Sequence, residues 1–190
     1  MIPNESGGAG HLNNEQTLRT DFFNINCSYV NENCIATSAI EPLILGLNVQ
    51  SLLAKEVALS SFIDNLELKP HIICLQEIHQ VGNDPPLFAG YHKLIFKMRI
   101  QTKGGGVGIL IREDLEFSIN SDLSIFIDRH FESISIDLSI SSKKFTITSL
   151  YKPPNHPNMT LLEHNTGFLD NLDSLLKKCR LEPSSLATLI

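Results

Sequence analysis

Leu43-Ile44-Leu45-Gly46-Leu47-Asn48 and, one helix-length later, Pro70-His71-Ile72-Ile73-Cys74-Leu75-Gln76-Glu77 are the stretches on which the fold turns. Each is an apolar run too short for a helix that stops on polar residues, the pattern of a buried strand. Between them Leu59, Phe62, Ile63 and Leu66 recur at i, i+3, i+4 and i+7, with Leu52, Leu53 and Val57 upstream and Ser51 as a candidate N-cap. That helix must end before Pro70. Strand, helix, strand predicts a parallel pair with a right-handed crossover, so Asn48 and Glu77 leave the sheet along one edge. Open α/β sheets place their ligand sites outside that edge, where loops present polar groups without disturbing the core.

Downstream the pattern turns to β structure. Tyr91 to Phe96 and Val107 to Arg112 read as two strands of an antiparallel hairpin joined through Gly104-Gly105-Gly106. No helix follows the glycines, so a turn explains them better than a phosphate-cradling loop. In Phe131 to Ile140, Ile134, Ile136, Leu138 and Ile140 alternate with Ser133, Ser135, Asp137 and Ser139, which predicts one buried face. Lys144 to Tyr151 is a further strand, stopped by Pro153-Pro154, with Phe145, Ile147, Ser149 and Tyr151 sharing a face. A second helix carries Phe168, Leu169, Leu172, Leu175, Leu176 and Cys179 until Pro183, and Leu186 to Ile190 opens another apolar strand.

Upstream of Leu43 the chain is rich in Asn, Ser, Thr and Gly without periodicity, so residues 1–42 are expected to be a disordered tail and residues 43–190 the folded unit. The size, 190 residues with 42% hydrophobic and 19% charged, suits one globular domain. No apolar run reaches the ~18 residues of a membrane span, and the amino terminus lacks the regions of a signal peptide, which sets an intracellular site and no membrane as the expectation. Cys27, Cys34, Cys74 and Cys179 form no C-x-x-C pair, which argues for reduced thiols over a structural zinc site, with Cys74 in the core.

A net charge of -6 excludes nucleic-acid binding by bulk electrostatics. Between Gly90 and Arg112, however, Lys93, Lys97, Arg99, Lys103 and Arg112 stand without an acidic residue among them, which reads on charge alone either as a local surface for a polyanion or as a solvated loop with lysines at its tip. Asn48, Glu77 and Tyr151 each terminate an otherwise apolar strand. If they converge, they make a small polar cleft: a carboxylate for a hard cation, an amide to orient a neighbour or a phosphate oxygen, and a phenol to donate to developing charge.

Asn48-Val49-Gln50-Ser51-Leu52 with Lys55, followed by Pro70 to Glu77, resembles the opening of endonuclease/exonuclease/phosphatase domains. Lys103 to Arg112, Phe131-Glu132-Ser133-Ile134 and Leu150-Tyr151-Lys152-Pro153-Pro154-Asn155 look like the non-LTR retrotransposon, apurinic-endonuclease-like branch. The resemblance runs in order from about Leu43 onward. It implies a two-sheet α/β sandwich flanked by helices, and Mg²⁺- or Mn²⁺-dependent hydrolysis of DNA phosphodiesters in the nucleus. Position by position, it makes Asn48 the active-site asparagine, Glu77 the metal carboxylate with Asn48 beside the ion, and Tyr151 the residue that stabilises the scissile phosphate.

The family continues to a Gly-Asp-Phe-Asn-like turn and an Asp-His pair, neither of which occurs in this sequence. The expectation is therefore a fold incomplete at its carboxyl end and a chain without detectable hydrolysis on its own. Two alternatives remain open at this point: a phospholipid or inositol-phosphate phosphodiesterase on the same scaffold, and a non-enzymatic truncated remnant. The basic hairpin and the Leu-Tyr-Lys-Pro-Pro stretch favour DNA.

Overall fold

A computed structural model describes residues 42–100, 102–154, 158–180 and 185–189. Apart from Pro42, the expected tail lies outside the described residues. In chain order the elements are β1 (Ile44–Asn48), α1 (Leu52–Asp64), β2 (Ile72–Gln76), β3 (Ile95–Lys97), β4 (Val107–Ile111), β5 (Phe117–Ile119), β6 (Phe126–Ile127), β7 (Phe131–Ile140), β8 (Lys143–Tyr151), α2 (Leu161–Arg180) and β9 (Ser185–Leu189). One sheet runs β1-β2-β4-β3; the other runs β5-β7-β8-β9, with β6 also paired to β7.

Strand alternation sorts the side chains into layers. Ile72 and Cys74 of β2 and Val107, Ile109 and Ile111 of β4 meet Ile134, Ile136 and Leu138 of β7 and Phe145 and Ile147 of β8 in an apolar seam between the sheets. The opposite face of the first sheet, with Leu47, Ile73, Leu75 and Leu110, packs on Leu52, Leu59 and Ile63 of α1. Phe168 and Leu175 of α2 cover Phe131 on the outside of the second sheet. The architecture is the expected α/β sandwich, layered helix, sheet, sheet, helix.

β1 and β2 pair in parallel, with Ile44 opposite Ile72 and Asn48 opposite Gln76. The crossover helix is where expected, but Ser51 does not cap it. Its φ of 88° takes the hydroxyl away from the first turn, and no side-chain cap bond forms. Instead the backbone N–H groups of Ser51 and Leu52 donate to the carbonyls of Glu77 (2.8 Å) and Ile78 (3.0 Å), tying the helix start to the end of β2.

Three further departures have simple causes. Only Ile95–Lys97 of the Tyr91–Phe96 stretch is strand, with Tyr91 making an isolated bridge to Arg112 while its hydroxyl donates to the Pro70 carbonyl at 3.0 Å. β5 and β6, three and two residues long, are too short to show a period. And β7 is buried on both faces: Ser133 Oγ donates to the Ile125 carbonyl at 2.9 Å and Ser135 Oγ lies 2.8 Å from Thr148 Oγ1, so small hydroxyls let the 120–127 segment close over the strand.

The entry to β1 rests on a hydrogen bond that protonation of His71 would break. The Leu43 N–H donates to His71 Nδ1 at 2.9 Å, which requires that nitrogen to be unprotonated. Burial first, then the Arg112 charge, hold the His71 pKa below 6.5, with Asp114 opposing. A depressed folded-state pKa means the contribution is complete above about pH 6.5 and is lost as the pH falls through the lower folded value. Urea stability is expected to decline between neutral pH and pH 5, and less steeply in His71→Asn, whose amide oxygen accepts the same bond at every pH. Equal slopes would show that His71 does not carry the effect.

Cys74 is part of the core, as its apolar run predicts, and burial pushes its thiol up to about 12. At pH 8 it is a thiol and not a thiolate, so alkylation mapped by mass spectrometry is expected to spare Cys74 until denaturant is added.

Candidate active site

The inter-sheet seam changes character at one end. On the inward face β1 ends in Asn48, β2 in Gln76 with Glu77 next, and β8 in Ser149 and Tyr151. β7 begins with Glu132, which stands opposite Tyr151 in register. The apolar layer thus gives way to polar groups where four strands terminate together.

Asn48, Glu77 and Tyr151 meet there. Asn48 Nδ2 donates to Glu77 Oε1 at 2.8 Å, and the Tyr151 hydroxyl donates to the same oxygen at 3.0 Å. Asn48 Oδ1 accepts from the Gln50 N–H at 3.3 Å, so both partners demand one orientation of the amide. Two neutral donors therefore fix Glu77 through Oε1. Oε2 faces the other way, with His79 Nε2 3.8 Å from it. Burial foremost, then the charge of Glu77 and its hydrogen bond, push the Tyr151 phenol well above the usual range, so it remains a donor at physiological pH.

Glu77 is held in an unusual backbone conformation. Its φ is 54° and that of His79 is 59°, both left-handed and both non-glycine. Such residues persist where surrounding bonds over-determine them, and they gather at functional sites. Here the Glu77 carbonyl accepts from Ser51 N–H at 2.8 Å, and His79 N–H donates to the Gly105 carbonyl at 2.8 Å.

As a ligand set this fits a hard divalent cation that substrate completes. Glu77 offers the oxygen that Asn48 and Tyr151 do not engage, and among the described residues no group of three or more His, Cys, Asp or Glu is placed to hold a metal. Mg²⁺ is commonly bound by one or two carboxylates together with substrate phosphates and water. Asn48 was expected to stand beside the ion as a ligand. Its nitrogen donates to Glu77 and orients the carboxylate, while its oxygen accepts from the Gln50 N–H and keeps a second lone pair that an ion could use.

The five basic residues divide. β3 and β4 do pair antiparallel, with Lys97 opposite Val107 at the cleft end. Arg112 follows β4 at the opposite end of the sheet, where its guanidinium holds Asp114 at 2.6 Å, and Lys93, on the same side, lies 3.6 Å from Asp84. Arg99 is 7% exposed and engaged with Glu132, and Lys97 Nζ donates to the Ser124 carbonyl at 2.7 Å. Exposed Lys103, beside the glycine turn, is the base best placed to meet a ligand. The expectation that all five flank the cleft is corrected: antiparallel register sends the two ends of a hairpin strand to opposite edges.

Sequence reasoning missed Glu132, although its alternation carries a signal. Residue 132 shares parity with Ile134, Ile136 and Leu138, so a carboxylate there must be buried and partnered. A separate concavity of about 750 Å³, lined by Asp114, Phe117, Asp137, Lys144 and Thr146, lies at the far end of the sandwich. Asp137 is occupied there by Asn120 and Thr146.

Comparison with known proteins agrees with the fold. No curated protein sequence matches. Among solved structures, similarity extends to D. rerio TDP2 complexed with single strand DNA product (TM-score 0.50, 16% identity, 77% of this chain and 58% of that one). It extends to the 3' phosphatase NExo from Neisseria bound to product DNA hairpin (TM-score 0.50, 18% identity, 75% and 54%). It also extends to the endonuclease domain of TRAS1, a telomere-specific non-LTR retrotransposon (TM-score 0.49, 16% identity, 78% and 58%). This chain thus spans a little over half the length of each. The family model described as Endonuclease/Exonuclease/phosphatase family matches residues 23–184, and the chain belongs to that family.

Proposed function

We propose that the cleft holds the metal ion and scissile phosphate of a Mg²⁺-dependent DNA phosphodiester hydrolase of the retrotransposon nicking type, acting in the nucleus. The observation that carries this reading is the double donation of Asn48 and Tyr151 to Glu77 Oε1, which leaves Oε2 out of both bonds. Glu77 would hold a divalent cation there, and such an ion would supply charge to offset that on the phosphoryl oxygens. Tyr151, kept protonated, can exchange its bond to Glu77 for one to a phosphate oxygen as negative charge develops. Asn48 then retains the carboxylate in place. Lys103 beside the glycine turn supplies a phosphate-facing charge, and two structures of similar fold hold product DNA.

Glu132, the carboxylate that stands opposite Tyr151, is fully buried and committed to Arg99 and the Gly106 N–H, so it is not placed to take the proton of the attacking water, a role worth about 10²–10⁴ in rate. The 190-residue chain is therefore expected to retain a short DNA duplex in Mg²⁺ without nicking supercoiled plasmid detectably. Filter binding in Mg²⁺ against EDTA, with plasmid lanes alongside, is the test. Retention indifferent to Mg²⁺ would overturn the reading.

A further inference from the structure

Glu132 is fully buried, yet it is a carboxylate on the apolar face of β7. Arg99 Nε and Nη2 reach its Oε1 at 2.6 and 2.5 Å, and the Gly106 N–H reaches its Oε2 at 2.6 Å. Arg99 itself also donates to the Lys103 carbonyl at 3.3 Å and lies 3.4 Å from Asp128 Oδ1. A buried ion pair is weak support for stability, because desolvating two charges offsets their attraction and an apolar pair fills the same space. What it supplies is geometry: with the Arg129 N–H donating to Oε1 at 3.3 Å, four directed bonds converge on one carboxylate, and the three from Arg99 and Gly106 tie the residues between β3 and β4 to it.

That loop in turn holds the residues after Glu77. Gly104, Gly105 and Gly106 all have positive φ, and a Cβ on Gly105 would lie 2.4 Å from the Arg99 guanidinium, so the turn is moulded onto that side chain. The Gly105 carbonyl accepts from His79 N–H at 2.8 Å and the Gly106 carbonyl from Ile78 N–H at 3.4 Å. These bonds lock the segment in which Glu77 and His79 are left-handed. The chain of contact runs from Glu132 through Arg99 and Gly106 to the turn, and from the turn to the backbone that aims Glu77.

We infer that the Arg99–Glu132 pair is a positioning clamp for the metal carboxylate, acting through the glycine turn and without touching metal or substrate. The part concerning metal rests on reading Glu77 as the ligand; the part concerning the backbone does not. Partners that orient a metal ligand typically change metal affinity 10–100-fold when removed.

Two measurements on the full chain separate these parts. The variants are Glu132→Gln, close in shape, and the double variant Arg99→Met/Glu132→Gln, which leaves no buried charge unpaired if the single variant does not fold. Site-resolved hydrogen exchange by NMR is expected to show the His79 and Ile78 amides exchanging at least about tenfold faster, while the β2–β4 ladder keeps its protection. Mn²⁺ binding followed by electron paramagnetic resonance is expected to weaken about tenfold or more in the same variants and to vanish in Glu77→Ala. Unchanged exchange at His79 and Ile78 in a folded variant overturns the clamp. Mn²⁺ affinity unchanged in the clamp variants but lost in Glu77→Ala also overturns it. Mn²⁺ binding that is absent from the start, or survives Glu77→Ala, removes the metal reading instead and leaves the exchange rates to decide the clamp.

Discussion

Glu77→Ala is expected to change the sign of its effect on DNA binding with the metal present. In EDTA the carboxylate is a negative charge beside a polyanion, so removing it leaves duplex binding unchanged or slightly tighter. In millimolar Mg²⁺, on the proposed reading, the same substitution removes the ligand through which the ion would link protein and phosphate, and binding is expected to weaken about tenfold or more, some 1.4 kcal/mol. A residue that served only to hold the fold would weaken binding under both conditions. Fluorescence anisotropy of a labelled duplex, with thermal melting of each protein as control, reads both.

Gly105→Ala is expected to be far more destabilising than the same change at Gly90. At Gly90, with φ of 80° and nothing within 4 Å of an added Cβ, alanine meets only the backbone penalty, about 1–2 kcal/mol. At Gly105, φ is 62° and the added Cβ would stand 2.4 Å from the Arg99 guanidinium. That group is 7% exposed and bonded to Glu132, so it cannot swing into solvent without breaking a buried pair, a loss of about 3–5 kcal/mol. Chemical denaturation is expected to place Gly105→Ala at least about 3 kcal/mol below the parent and Gly90→Ala well above it. Equal losses would show that Arg99 yields freely and that the turn is not moulded on it.

The parts of the fold that periodicity reveals were legible in the sequence. β1, α1 and β2 follow from two apolar runs and one helical repeat, and the crossover rule then places Asn48 and Glu77 on one edge, where a 2.8 Å bond joins them. Tyr151 followed from the parity of Phe145, Ile147 and Ser149. Less legible were features set by partners distant in sequence. Ser51 looks like an N-cap, but the helix start is satisfied by carbonyls of Glu77 and Ile78, which no local pattern reports. Arg99 looks like a surface base, yet its partner Glu132 lies 33 residues on, and only the pairing of β7 with β8 brings that carboxylate opposite Tyr151. β3 is only three residues long because the Tyr91–Arg112 bridge is one residue out of step with the Ile95–Ile109 pairing, so the ladder is interrupted between them.

The most direct test of the proposed site is anomalous diffraction from crystals of the chain equilibrated with Mn²⁺. An ion is expected about 2.0–2.2 Å from Glu77 Oε2, on the side away from Asn48 and Tyr151, with water or phosphate completing its shell. Crystals carrying Mn²⁺ elsewhere while Glu77 keeps only its bonds to Asn48 and Tyr151 would contradict it.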